Sequence, residues 1–305
     1  MKRIPDNSFG AVSRDSKTWV GFGLALMAAL GFSTNILFAN LAYRDGIDIH
    51  TINAVRHFVT VILLFLFLKI RGKKLKLPPR ERYAGLVLGI SVFMMGIGYL
   101  GATQYIPVSL AVLIFYTHPF LVAIIARFTE DEAITPIRLL AITIAFIGLA
   151  FAMGIQSVSG LNWYGIAFGF LGALGAASYV TISSLAIRSA DTQTVNFHCL
   201  AAGTVLYVVF LLFNGGPAAH IAPAGWFKLG VSSLALTIAY VTFLISIETI
   251  GPVKTTILMN VEPILTIILA AIVLGERLSF TQLLGAAFVM AGIILITREY
   301  IKKSQ

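Results

Sequence analysis

Glu262 and His118 each stand immediately before a proline, Pro263 and Pro119, deep inside long apolar stretches. An ionisable side chain in such surroundings has three uses. It can contact a polar ligand, carry a proton, or hold two helices together through a shared polar contact. Arg56-His57 is a second spot of this kind. A guanidinium stays charged and grips carboxylates through a planar fork, so Arg56 could meet a ligand carboxylate or Glu262, or reach back to the nearest polar boundary. Lys254 lies eight residues before Glu262, two helical turns away and on the same face. There it either draws anionic groups inward or anchors a helix end. Asn260 precedes Glu262 by two residues. His198 is a lone histidine on an apolar segment, a pattern that suits structure as well as binding. Asn35, Tyr99, Tyr116, Tyr179 and Tyr240 add an amide and phenolic hydroxyls. Binding cavities for metabolites are mostly apolar with a few placed polar groups, and these residues fit that role or simple helix-to-helix hydrogen bonding.

The chemistry of known hydrolytic and phosphate-binding sites is missing. There is no His-Glu-x-x-His run for zinc. Gly89-Ile-Ser91 and Gly230-Val-Ser232 are only fragments of a Gly-x-Ser-x-Gly elbow. No glycine-rich loop ends in Gly-Lys-Ser/Thr, so the chain is not itself an ATP-driven pump. No metal and no cofactor are expected. The single cysteine, Cys199, cannot form an intramolecular disulfide and suits the part of a small apolar filler.

The elements that position these residues follow from composition. Hydrophobic residues make up 58% of the 305 and charged residues 11%, against about 25% charged in soluble domains. A soluble fold could not hide that much apolar surface, whereas lipid covers it. The apolar blocks approach the ~20 residues that cross a ~30 Å hydrocarbon core. Ten helical spans are predicted, at 19–43, 51–70, 83–104, 107–128, 137–156, 163–187, 193–213, 225–248, 252–274 and 279–297. The fold class is therefore an all-α membrane protein. Residues 1–18 are polar, and the run after them is too long for the core of a cleaved leader. They are expected to form a tail before a retained first helix, with 298–305 as a second tail.

The net charge of +9 does not point to nucleic acid, because the basic residues sit at span ends. With the N-terminus in the cytoplasm, eighteen Lys and Arg fall on the inner side and three (Arg44, Lys228, Arg277) on the outer. That bias predicts both termini inside.

The chain also repeats itself. Trp19-Val-Gly21 answers Trp163-Tyr-Gly165, and Ala29-Leu-Gly31 answers Ala173-Leu-Gly175. Pro119 answers Pro263, Glu132 answers Glu276, and Gly148 answers Gly292, all 144 residues apart. Asn35 maps to Tyr179, and His118 to Glu262. Units of five spans, 19–156 and 163–297, enter the membrane from opposite sides because five is odd. Inverted repeats of this kind support two nearly equivalent conformations, one open to each face. That favours a carrier over its rivals, an intramembrane enzyme or a channel. Pro119 and Pro263 are expected to kink their helices and free the carbonyls of Phe115 and Met259. Freed carbonyls in a membrane need protein or a water-filled cavity beside them. Glu132 and Glu276, with Thr135 and Ser279 after them, are expected to favour the starts of the following helices.

Two five-span halves, a proline mid-span in the fourth and ninth, an arginine in the second, and Met259-Asn-Val-Glu-Pro263 followed by Leu274-Gly-Glu276 resemble the EamA branch of the drug/metabolite transporter superfamily. The likeness covers nearly the whole chain, though His118 before Pro119 and Asp131 opposite Gly275 depart from the pattern. It implies a secondary transporter of the bacterial inner membrane. The cargo it implies is a small metabolite such as an amino acid, moved outward, and the residues themselves offer Glu262 or His118 as a carrier of a coupling proton.

Overall fold

The computed structural model describes residues 14–103, 105–106, 108–129, 135–152, 162–187, 190–217, 221–274 and 279–304. Among these residues the ten predicted spans appear as twelve helices, because two of the spans are broken. The first half holds α1 (Arg14–Arg44), α2 (Ile49–Ile70), α3 (Pro79–Thr103), α4 (Val108–Phe115), α5 (His118–Thr129) and α6 (Pro136–Ala152). The second holds α7 (Trp163–Ala186), α8 (Thr192–Phe213), α9 (Pro223–Ile250), α10 (Pro252–Met259), α11 (Glu262–Leu274) and α12 (Phe280–Ser304). Among the described residues seven helical segments are long and apolar enough to cross a membrane, with α10 and α11 together counted as one, and shorter apolar segments lie at 113–125, across the α4–α5 break, and at 136–151 and 280–295. Large side chains such as Leu212, Ile272 and Phe280 lie exposed on the outer surface. That surface suits lipid and would be untenable in water. The protein is an integral membrane protein.

Helix starts follow local rules. Pro79, Pro136, Pro223 and Pro252 each open a helix, where a missing N–H costs nothing. Asp48 caps α2 by accepting from the Thr51 amide at 2.9 Å, and Asp191 caps α8 by accepting from the Thr194 amide at 3.1 Å. These two caps are 143 residues apart, not 144. The connection into α8 is thus one residue shorter than that into α2, and the register returns at Pro79 and Pro223. Thr135 accepts from the Arg138 amide, and Ser279 from the Gln282 amide, each at 3.2 Å. Glu132 and Glu276, to which a similar role was assigned, lie outside the described residues, as do Asp131, Gly275, Arg188 and Arg277. α12 runs through Ser304, so the predicted tail from 298 continues the helix.

The halves pack on each other more than within themselves. α1 lies along α9, and α7 along α3 in the same way; α6 lies against α12. Glycines set these contacts. A Cβ on Gly31 would stand 2.9 Å from the Ala235 carbonyl oxygen, and one on Gly175 would stand 2.8 Å from that of Ser91. Both members of these pairs are 144 apart. Likewise Gly148 approaches the Gly285 carbonyl and Gly292 that of Ala141, each at 2.7 Å from an added Cβ. When i meets j′ and i′ meets j, the interface is isologous and the two units are related by a two-fold axis.

Ion pairs join the halves at both ends of the molecule. Lys73, after α2, meets Asp191 before α8, and Lys228 of α9 meets Asp45 between α1 and α2, each at 2.5 Å. Partial burial disfavours the Asp191 carboxylate, but hydrogen bonds from Lys73 and Thr194 outweigh it and hold its pKa below the usual value. A lowered carboxylate pKa adds stability above the ordinary value, lost only as pH falls through the lowered one. The pair is therefore intact at neutral pH.

Candidate functional site

The two broken helices are repeat equivalents. α4 stops at Phe115 and α5 starts at His118; α10 stops at Met259 and α11 starts at Glu262. The prolines were expected to kink continuous helices. Instead each chain stops, turns, and restarts with proline in the first turn of the new helix, where it is tolerated. Side chains finish the breaks. Thr117 Oγ1 donates to the Ile114 carbonyl at 2.7 Å, and His118 Nδ1 lies 3.1 Å from the Phe115 carbonyl, one of the two that proline was expected to free. In the second half Asn260 Nδ2 donates to the Ile257 carbonyl at 3.0 Å. Glu262 is left to turn outward. Its carboxylate lies near the Tyr116 hydroxyl of the other half, with Tyr99 also in electrostatic range. Ser33 of α1 donates to the Glu262 carbonyl at 2.7 Å and ties α1 to the break.

Arg56 forms the other pole. Its guanidinium donates to Asn35 Oδ1 at 3.2 Å and to Asn53 Oδ1. Asn35 also receives Ser232 Oγ at 2.8 Å. The Arg56 Nε is buried with no hydrogen-bond partner. His57 Nδ1 lies 2.8 Å from the Asn53 carbonyl, and its ring rests on Tyr207 at 4.7 Å between centroids. Tyr240 lies in electrostatic range of both Arg56 and Glu262 and so sits between the poles. Its ring contacts Phe32 at 5.3 Å and Tyr179 at 6.0 Å. Arg56, Tyr99 and Glu262 sit deep among neighbours, yet each keeps part of its surface open.

The structure thus gathers Asn35, Arg56, His57, Tyr99, Tyr116, Tyr179, Tyr240 and Glu262 into one column between the halves. Arg56 and Glu262 do not engage each other, each having its own partners. His118 turns back to the end of α4, and Asn260 to the end of α10. His198 lies apart, with Nε2 2.7 Å from the Leu75 carbonyl in the loop after α2. Lys254 sits in the first turn of α10, two turns before the break. Asn53, Tyr207 and Ser232 were missed. Asn53 had a signal, since it precedes Arg56 by three residues on the same helix face. A separate cavity of about 240 Å³ opens at one end, between Arg71, Lys73, Asp191, Gln193 and Glu248. None of the column residues lines it. Among the described residues no group of His, Cys, Asp and Glu could hold a metal.

The EamA-like transporter family matches residues 19–154 and again 163–298. YoaV of Bacillus subtilis, described as an uncharacterized transporter, is 23% identical over 259 residues, covering 82% of this chain and 88% of its own. An uncharacterized transporter of Archaeoglobus fulgidus is 26% identical over 215 residues, covering 70% and 76%. The threonine/homoserine exporter RhtA of Escherichia coli is 26% identical over 261 residues, covering 83% of each chain. A protein of known crystal structure superposes with a TM-score of 0.77 at 18% identity, covering 93% of this chain and 99% of that one. At that identity the likeness concerns the fold.

Proposed function

The chain belongs to the EamA-like transporter family, and on that premise we propose that it is a secondary exporter of small metabolites such as amino acids, working by alternating access of its two halves. One observation carries the reading. Two helices are broken at equivalent positions of the two repeats, Glu262 opens the second half of one of them as an acidic pole, and Arg56 stands as a cationic pole beside Asn35 and Asn53, with Tyr240 in electrostatic range of both. Broken helices at such an interface expose backbone groups and polar side chains to a substrate midway across the bilayer. The unbonded Arg56 Nε suits a carboxylate. The aromatic rings of Phe32, Tyr207 and Tyr240 suit an apolar body.

The kinship with RhtA supports outward transport of amino acids. The basic bias of the loops supports both termini in the cytoplasm, and the bacterial relatives support a bacterial inner membrane. Glu262 is the group proposed to carry a coupling proton, because it is the ionisable pole in reach of a tyrosine hydroxyl from the opposite half. Counterflow of radiolabelled amino acids in proteoliposomes tests the reading. Saturable exchange is expected, with Glu262→Gln flattening its dependence on pH. Absence of exchange for every amino acid would remove the amino-acid cargo from the reading. Unchanged pH dependence in Glu262→Gln would remove Glu262 from coupling.

A further inference from the structure

The Arg56 cradle has a counterpart in the second half, and the counterpart lacks its cation. The repeat maps Asn35 onto Tyr179, and the register of the Asp48 and Asp191 caps maps Asn53 onto Asn196 and Arg56 onto Cys199. In the first half the guanidinium fills the gap between two amide oxygens. In the second half a short thiol stands where the arginine would be. The acceptors around it remain, and they are orphaned. Tyr179 Oη and Asn196 Oδ1 are buried without a hydrogen-bond partner, on residues 2% and 0% exposed. The Asn196 amide is oriented so that its nitrogen faces Gln193 at 3.5 Å, which leaves the oxygen free. Cys199 follows Asn196 by three residues on the same face of α8 and lies in electrostatic range of Tyr179. Tyr240, which bridges the Arg56 and Glu262 poles, packs on Tyr179 at 6.0 Å and is in range of Cys199.

An unmatched buried acceptor is costly, and native proteins rarely keep several together. We propose that the Tyr179–Asn196–Cys199 corner is the subsite for the substrate's ammonium group, which completes it as Arg56 completes the first-half cradle. The substrate class is then a primary amine that also carries a carboxylate. The carboxylate faces Arg56 Nε, and the ammonium donates to Asn196 Oδ1 and Tyr179 Oη. A des-amino acid would leave both acceptors unmatched, and sites built around hydrogen bonds reject such analogues strongly. The corner is sealed in this conformation, so the inference rests on the alternating-access reading, in which the halves part first at one end and then at the other.

Cys199 is the only cysteine in the chain and gives a reporter on the spot. Full-length protein in proteoliposomes is treated, during exchange, with methanethiosulfonates that carry an ethylammonium or an ethylsulfonate. Each forms a mixed disulfide at Cys199 with loss of methanesulfinate. Faster labelling by the ammonium reagent is expected. The exchanged amino acid should protect, and its des-amino analogue should not. In Asn196→Leu the protection and the preference for the amine in exchange should both fall at least tenfold. In Asn196→Asp, which keeps an acceptor of the same shape, the preference should survive or grow. Equal labelling by both reagents, equal protection by both acids, or unchanged preference in Asn196→Leu would overturn the subsite while leaving transport intact. Protection by sodium alone would overturn it by assigning the corner to an ion. Failure of the wild type to exchange any amino acid would fail the amino-acid reading itself, and the subsite with it.

Discussion

The first half closes its own helix break, and the second half spends its polar group elsewhere. At the first break His118 and Thr117 bond the carbonyls of Phe115 and Ile114, all within one half. At the second, Asn260 finishes α10 and frees Glu262 to meet Tyr116 across the interface. The backbone device is the same at both places, to the residue. Its chemistry is not. The cradles differ in the reverse sense: the first half keeps its own cation in Arg56, and the second half keeps only the acceptors. Duplication fixed the helix breaks and the packing, since a change there disturbs both halves at once. The polar side chains pointing into the shared column were free to diverge.

The largest effect is expected at the cation. Arg56→Lys keeps the charge and loses the fork that spans Asn35 and Asn53. Charge-assisted hydrogen bonds are worth ~1.5–3 kcal/mol, so exchange should fall by about tenfold or more. Unlike Asn196→Leu, it should fall equally for amine-bearing and des-amino carboxylates. Exchange kinetics with the two acids check this, and a loss confined to the amine would break the contrast between the cradles.

A smaller effect, on stability, is expected where the halves are alike. Gly31→Val and Gly175→Val push a side chain into the carbonyls of Ala235 and Ser91. Overpacking costs ~1–3 kcal/mol, and the two variants should lower Tm by similar amounts. A silent substitution on one side would show that the isologous contact is shared unequally.

Ten spans, the inversion and the two break points were legible in the sequence because apolar length, odd span count and repeat-matched prolines each have one physical consequence. The break itself was read as a kink, since proline marks where a helix changes but not whether the chain restarts. Arg56, Asn35 and Glu262 were legible as polar residues too costly to be idle in lipid. Their partners were not. Whether Arg56 would meet Glu262 or Asn53 depends on how α1, α2 and α9 cross, and that is set by glycine contacts between segments some 200 residues apart. The vacated cradle was hidden by a single-residue shortening before α8, which moves Arg56 from alignment with Leu200 to alignment with Cys199.

The central claim is that the halves must part alternately at their two ends. Paired cysteines at Lys73 and Asp191, or at Asp45 and Lys228, can be bridged by a short, reducible reagent, with the parent protein that carries Cys199 alone treated in parallel to subtract any effect at that thiol. Bridging either end should stop amino-acid exchange, and reduction should restore it. Undiminished exchange with one end fully bridged would contradict the account.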